Sequence, residues 1–144
     1  MRNSGLERFV EAQDGGGTYV QALRELRAGR KTSHWVWFVF PQLAGLGRSA
    51  TAQAYALGSV DEAKAYLAHP VLGPRLRESL EAVLSHPDRS AEQVLGGIDA
   101  VKLRSSVTLF ARAAPDEELF VRVLDTCYGG EPDEQTLTLL SRDG

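Results

Sequence analysis

The sequence predicts an all-α fold: a compact, irregular single domain of about eight short helices, covering residues 1–144, around a central aromatic-rich segment. Apolar residues recur at positions i, i+3 and i+4 along most of the chain, which is typical of helices that bury one face. No segment alternates apolar and polar residues as a half-buried strand does. Three residue pairs also match the capping box that marks a helix start, namely Ser4 with Glu7, Ser59 with Glu62, and Ser90 with Gln93.

Glycines place the helix boundaries in the first half of the chain. Three glycines at positions 15–17 separate a first helix from a second one over about residues 18–28, which Gly29 ends. A further helix begins near Ser49 and ends before Gly58. The resulting helices are short, which favours an irregular domain over a bundle of long helices.

Prolines and glycines divide the second half in the same way. His69 and His86 each precede a proline at a helix junction, so we predict turn or capping roles for both imidazoles rather than metal ligation. The glycines at positions 96–97 and Pro115 bound another helix, and Asp99 is its predicted N-cap.

Residues 35–40, Trp-Val-Trp-Phe-Val-Phe, form an unbroken apolar run that requires burial. Each large aromatic side chain removes roughly 150–250 Å² from water, so this run should form much of the core. Periodicity alone does not distinguish a buried strand from a buried helical turn here. Because no other segment offers a strand partner, we predict a short helix that ends at Phe40 before Pro41. Both tryptophans are then core residues rather than an exposed stacking platform.

Length and composition indicate one ordinary globular domain. A hydrophobic content of 43% argues against a disordered chain, and a net charge of −3 argues against general nucleic-acid binding. No apolar run reaches the roughly 18 residues of a membrane span, and the N-terminus lacks a secretory signal, so we predict a cytoplasmic protein without membrane contact. The single cysteine, Cys127, excludes an internal disulfide and a cysteine-built zinc site, and we interpret it as a small buried apolar residue.

Polar residues flank the aromatic run on both sides. His34, directly before it, is the best candidate for a catalytic residue, because imidazole exchanges protons near neutral pH. Lys31 and Ser33 beside it could bind an anionic oxygen, and Gln42 and Ser49 after the run complete this candidate cluster. The alternative is that His34 only caps or packs at the start of the aromatic helix.

A second candidate anion site lies in the first turns of the helix that follows the glycines at 96–97. Lys102 and Ser105 occupy the region where backbone N–H groups without helical partners collect. The alternative is an ordinary solvated first turn. The glycines at 45 and 47 lack the preceding strand and the lysine of a phosphate loop, and the three histidines lack the spacing of a helical zinc motif, so we predict no metal and no cofactor.

Two functions from different classes follow from these patterns. The first is a small enzyme or binding domain for an anionic, nucleotide-like molecule, which requires the clusters around His34 and Lys102 to converge on one pocket. The alternative is a protein-interaction module whose acidic C-terminal third binds a basic partner; the oligomeric state is left open. The carboxylates of that third are Asp116, Glu117, Glu118, Asp125, Glu131, Asp133 and Glu134.

Four blocks of the sequence carry a family resemblance. They lie at residues 8–13, 33–49, 67–76 and 99–110 and begin with Arg-Phe-Val-Glu, Ser-His-Trp-Val, Leu-Ala-His-Pro and Asp-Ala-Val-Lys. In these blocks the chain resembles a bacterial family known only as domain of unknown function 1810. The resemblance spans nearly the whole chain and implies a compact helical single domain without implying an activity. Some members are labelled calpastatin-like, but this chain lacks the disordered composition of that inhibitor.

A looser resemblance concerns the succession of Lys-Leu, Phe and Val-Leu-Asp in the last helices. This pattern is similar to small helical domains that process ADP-ribose and related nucleotides. Those domains carry an acidic catalytic residue in a motif that we do not identify in this chain. The resemblance implies an ADP-ribose-related ligand for the candidate pocket.

Overall fold

The fold is all-α, as the sequence predicts. A computed structural model describes residues 5–143, so the capping box predicted at Ser4 lies outside the described residues. Within this range the chain forms one 3-10 turn, Gly15–Gly17, and ten α-helices. In chain order the helices are α1 Glu7–Asp14, α2 Thr18–Ala28, α3 Val36–Val39, α4 Ala50–Ala54, α5 Val60–Ala68, α6 Leu72–Leu84, α7 Ala91–Leu95, α8 Gly97–Ala113, α9 Glu118–Tyr128 and α10 Glu134–Asp143. A single β-bridge between Leu43 and Leu57 is the strand-like pairing found in this range.

Helix α8 lies at the centre of the fold. It packs against α3, α5, α7, α9 and α10. The ring of Phe110 on α8 lies between Tyr66 of α5 and Phe120 of α9, at centroid distances of 5.4 and 5.9 Å, and all three residues are fully buried. Because its later turns are enclosed by neighbouring helices, α8 is a rigid support for the side chains of its first turns.

The aromatic segment forms the short helix α3, as predicted, and packs against α1, α6 and α8. Four of the six residues in the run are each 1% exposed, namely Trp35, Val36, Val39 and Phe40. Phe38 is partly buried and packs edge-on against Tyr55, with 4.8 Å between ring centroids. Trp37 also packs against the core, but part of its ring stays accessible. The prediction of a buried run is therefore confirmed except at these two rings.

Two of the predicted N-terminal caps are present in the structure. At the start of α7, Ser90 and Gln93 form the complete capping box, with both side chains bonded to backbone N–H groups. At the start of α5, the hydroxyl of Ser59 accepts from the N–H of Glu62. The Glu62 carboxylate reaches back one residue further than the box requires, to the N–H of Gly58 at 2.6 Å. Both serines are therefore the N-caps of helices, as their spacing predicts.

The N-cap predicted at Asp99 is wrong. Helix α8 begins two residues earlier, at Gly97, and Gly96 before it has a φ of 89°, a value that favours glycine. No side chain caps this helix start. Asp99 therefore lies inside the first turn, where its carboxylate pairs with other side chains.

The two histidines at helix junctions have the capping roles predicted from their positions. Nδ1 of His69 accepts from the N–H groups of Val71 and Leu72, at 3.1 and 3.3 Å, at the start of α6. Nε2 of His86 donates to the carbonyl of Leu26, at 2.9 Å, near the end of α2. Both imidazoles therefore stabilise helix ends.

Gly73 lies in the first turn of α6, where this helix comes closest to α5. A Cβ at this position would lie 2.1 Å from the carbonyl oxygen of Leu67. A backbone oxygen cannot rotate away, so Gly73→Ala should lower the free energy of unfolding by about 1–3 kcal/mol, the usual cost of overpacking. Urea denaturation measures this loss.

The matched control is Gly97→Ala, because Gly97 is also helical and nothing lies within 4 Å of its added Cβ. This control should leave stability unchanged or raise it by up to about 1 kcal/mol. Equal effects of the two substitutions would contradict the close approach of α5 and α6 at Gly73.

Candidate functional site

A pocket of about 390 Å³ opens between the segment 31–37 and the start of α8. It is lined by Lys31, His34, Val36, Trp37, Leu95, Gly96, Gly97, Ile98, Asp99 and Lys102. The polar clusters that the sequence predicts around His34 and around Lys102 therefore meet in one cavity. The geometric condition for a shared site is met, while its ligand stays a prediction.

Glu25 determines the path of the chain that leads into the pocket. Glu25 is 5% exposed, and one of its carboxylate oxygens accepts hydrogen bonds from the N–H groups of Thr32 and Ser33 at 2.8 and 3.1 Å. The same oxygen accepts from the indole N–H of Trp35 at 2.8 Å. The other oxygen accepts from the Ser33 hydroxyl and the Gln21 amide, at 2.6 and 2.7 Å. Four of these five hydrogen bonds attach the connection between α2 and α3 to Glu25, and the bond from Gln21 lies within α2.

The same contacts control the charge of Glu25. Burial by itself would raise the pKa of this carboxyl, because it removes water from the charged form. Hydrogen bonds from Ser33, Gln21, Thr32 and Trp35 favour the carboxylate and together hold its pKa far below the usual range. Glu25 is therefore ionised at neutral pH, where its carboxylate accepts these hydrogen bonds. The role of Glu25 could not be predicted from the sequence, because one glutamate in an amphipathic helix forms no recognisable motif.

Three charged side chains of the pocket form ion pairs, those of Lys31, Asp99 and Lys102. Lys31 is the most buried of the three. Its backbone N–H donates to the carbonyl of Val94 at 2.7 Å, which ties this part of the chain to α7. Its ammonium lies 2.7 Å from one carboxylate oxygen of Asp99 and 5.4 Å from the ring centroid of Trp35. The side chain is 7% exposed, so its charge depends on Asp99 for compensation.

Lys102 lies on α8, three residues after Asp99, and is more exposed than Lys31. Its ammonium is 3.5 Å from the second carboxylate oxygen of Asp99, which exceeds the length of about 2.7–2.9 Å typical of a charge-assisted hydrogen bond. It also lies 4.7 Å from the ring centroid of Trp37, within cation–π range. An ammonium has three N–H donors, so Lys102 can still donate hydrogen bonds to a ligand.

The junction of α7 and α8 supplies backbone and apolar surface to the pocket. Nothing lies within 4 Å of the position that a Cβ would occupy on Gly96 or Gly97, so the backbone there is open. The first N–H groups of α8 lack a side-chain cap, and such groups favour negative charge nearby. Ile98 is 76% exposed and adds an apolar face to the lining.

His34 is exposed and lines the same pocket. Within residues 5–143 no group forms a hydrogen bond with its ring. Helix α3 begins without a side-chain cap, so the alternative that His34 caps the aromatic helix does not describe the structure. The imidazole is therefore accessible for proton exchange with solvent or with a bound molecule.

Two serines predicted to bind a ligand have structural partners instead. The Ser33 hydroxyl donates to Glu25, so it faces α2 rather than the pocket. Ser105 is 2% exposed, and its hydroxyl donates to the carbonyl of Val101 at 3.2 Å within α8. The predicted roles of both serines are therefore corrected: closeness in sequence to Lys31 or Lys102 did not place them on the same side of the backbone.

Gln42 and Ser49 also lie outside the pocket, which corrects their predicted roles. The Gln42 carbonyl accepts from the N–H of Leu57 beside the β-bridge, and Ser49 caps α4. The loop between these two residues lines a second cavity of about 340 Å³, which it shares with α10. The chain that follows the aromatic run therefore turns away from the start of α8.

Cys127 is partly rather than fully buried and packs against the core, and burial, with a smaller contribution from Glu92, raises the pKa of its thiol. Among residues 5–143, no three histidine, cysteine or acidic side chains lie close enough together to hold a metal ion. No helix in this part of the chain has the length and apolar character needed to cross a membrane.

The chain is similar to known proteins over nearly its whole length. A family model described as "Protein of unknown function (DUF1810)" matches residues 3–140. The crystal structure of the conserved hypothetical protein Rv1873 from Mycobacterium tuberculosis shares 48% sequence identity with it and superposes with a TM-score of 0.93. That similarity covers 97% of this chain and 99% of the mycobacterial chain. None of the curated proteins compared with the chain matches it.

Proposed function

The chain belongs to the DUF1810 family, as its motifs predict, and from its pocket we propose that it binds an anionic, nucleotide-like small molecule. The convergence of Lys31 and Lys102, from distant parts of the sequence, carries this proposal. Both lysines enter the same pocket as His34 and the accessible face of Trp37. A concave site with a few convergent polar groups and an apolar lining is typical of small-molecule binding.

Charge supports an anionic group on the ligand. Lys31 and Lys102 contribute two positive charges and Asp99 one negative charge, so these three side chains give the pocket a net charge of +1. Uncapped N–H groups at the start of α8 add donors that a phosphate oxygen could use. The phosphate of a nucleotide therefore suits this end of the pocket.

Apolar surface supports a planar or apolar body on the same ligand. The Trp37 ring and the exposed Ile98 side chain provide faces on which a base could lie. An ADP-ribose-related nucleotide has both a phosphate and a base. Such a ligand is compatible with the cytoplasmic location that we expect from the sequence. His34 is the proposed catalytic residue, because its imidazole is exposed at the pocket and forms no hydrogen bond with any group of residues 5–143.

The alternative function, binding of a basic partner by the acidic C-terminal third, has weaker support. Several of its carboxylates have partners within the chain. Glu117 lies 2.7 Å from Arg77, Glu131 lies 3.7 Å from Arg104, and Asp133 caps α10. These contacts reduce the charge available to a partner, so small-molecule binding is the function we favour.

A thermal-shift comparison of adenosine 5′-monophosphate, ADP-ribose and adenosine tests the proposal. A ligand at 100 times its Kd should stabilise the folded state by roughly 2.7 kcal/mol, whereas adenosine, which lacks phosphate, should give no shift. Lys102→Met should weaken phosphate-dependent binding about tenfold, because it removes a charged donor. Lys64→Met is the matched control, since Lys64 is exposed on α5 and outside the pocket. No shift with either nucleotide would contradict the proposal.

A further inference from the structure

We propose that Asp99 is an internal counter-ion that an anionic ligand displaces from Lys102. Lys102 then binds the anionic group of the ligand, and Lys31 is a positioning residue that keeps Asp99 in place. This inference rests on the proposed function, because it assigns roles to charged residues of the same pocket. It also defines the ligand as one whose anionic group competes with a carboxylate.

The two ion pairs of Asp99 are unequal. The contact with Lys31 is 2.7 Å and the contact with Lys102 is 3.5 Å. The Lys31 side chain is 7% exposed, whereas that of Lys102 is 24% exposed. A buried ion that loses its only countercharge is strongly destabilised, whereas a more exposed ammonium can exchange one partner for another. An entering anion should therefore take the longer and more accessible contact.

Lys102 is already held in position for this exchange. Its ammonium lies against the Trp37 ring, and among residues 5–143 this ring and the Asp99 carboxylate are the groups that contact it. The cation–π contact does not depend on Asp99, so Lys102 can keep its place when the carboxylate is exchanged for a ligand anion. Lys31 also lies near an aromatic ring, that of Trp35 at 5.4 Å, but its side chain is only 7% exposed and its contact with Asp99 is shorter, so Lys31 keeps Asp99 as its countercharge.

The Asp99 carboxylate should also affect the affinity of the pocket for an anion. A negative charge a few ångströms from a bound anion opposes binding, even where solvent screens it. Asp99→Asn keeps the shape of the side chain and an oxygen acceptor for Lys31 but removes this charge. It should therefore strengthen binding of both sulfate and adenosine 5′-monophosphate roughly tenfold.

Calorimetric titration of wild type, Asp99→Asn and Lys102→Met with these two anions is the test. A double variant, Lys31→Met with Asp99→Leu, tests the inference even if Asp99→Asn does not fold. It replaces the buried ion pair with apolar side chains, so neither charge is left without a partner. This double variant keeps the net charge of the pocket at +1 through Lys102. It should bind both anions as tightly as the wild type or more tightly, whereas Lys102→Met should bind at least tenfold more weakly than the wild type. Melting curves establish that each variant is folded.

The outcomes separate this inference from the proposed function. If the wild type binds but Asp99→Asn binds no tighter, Asp99 is not a competing counter-ion, although the pocket still binds anions. If the double variant loses binding while it remains folded, Lys31 is the residue that contacts the ligand, and the assigned roles are overturned. If neither the wild type nor any variant binds either anion, the proposed function fails and this inference fails with it.

Discussion

Trp35→Ala should lower the free energy of unfolding by about 3–5 kcal/mol, the range found when a buried aromatic side chain is truncated to alanine. The Trp35 residue is 1% exposed, and its ring centroid lies 6.1 Å from that of Phe40. Its indole N–H also donates to the buried carboxylate of Glu25 at 2.8 Å. The substitution therefore removes packing and a hydrogen bond together, which amounts to much of the 5–15 kcal/mol typical of a domain. Denaturant unfolding followed by circular dichroism measures the loss.

Trp37→Ala is the matched control, because it removes the same side chain two positions along the same segment. Trp37 is partly exposed at the pocket, so its removal should cost less stability. It should instead weaken anion binding by releasing Lys102 from its ring. A loss below 1 kcal/mol for Trp35→Ala, or equal losses for both tryptophans, would contradict the assignment of Trp35 to the core.

Glu25→Ala should cost about 3–5 kcal/mol, a loss comparable to that of Trp35→Ala. It leaves the backbone N–H groups of Thr32 and Ser33 and the Trp35 indole without their acceptor. The indole donor is buried and the two backbone donors are partly buried, and a buried donor left unpaired costs about 1–3 kcal/mol. Glu11→Ala, at an exposed position of α1, is the matched control and should change stability by less than about 0.5 kcal/mol.

Acid titration gives an independent test of the Glu25 contacts. The folded-state pKa of Glu25 lies below the value of about 4.3 in an unfolded chain, so its stabilisation is complete above that pH and is lost as pH falls toward the folded-state value. Glu25→Gln should therefore be less stable than the wild type at pH 7, and the difference should shrink between about pH 5 and pH 2. A difference that stays constant over this range would show that the carboxylate charge does not contribute.

The helices could be predicted from sequence because their signals are local. Gly29 has a φ of 79° at the end of α2, and Ser90 with Gln93 forms the complete box at the start of α7. In both cases the residues that determine the boundary lie within one turn of it. Asp99 shows the limit of this reasoning: the paired glycines before it looked like a break, but the second of them already belongs to α8.

The candidate site was predicted only in part because it depends on contacts between distant segments. Lys31, His34 and Lys102 were identified from residue type, and the structure brings them together. Glu25 was missed because its role depends on the return of the chain after α2, which no local pattern encodes. Ser105 was misassigned because α8 is enclosed by other helices, so a residue three positions after Lys102 is already in the core.

We propose that the pocket between segment 31–37 and the start of α8 binds an anionic, nucleotide-like molecule. Titration of the ¹⁵N-labelled protein with adenosine 5′-monophosphate, followed by heteronuclear NMR, tests binding and location together. We expect saturable shifts of the Gly96 and Gly97 amides and of the Trp37 indole N–H, while the buried Trp35 indole N–H changes little. No shifts at millimolar nucleotide, or shifts confined to the groove on α2 beside Val20 and Arg24, would contradict it.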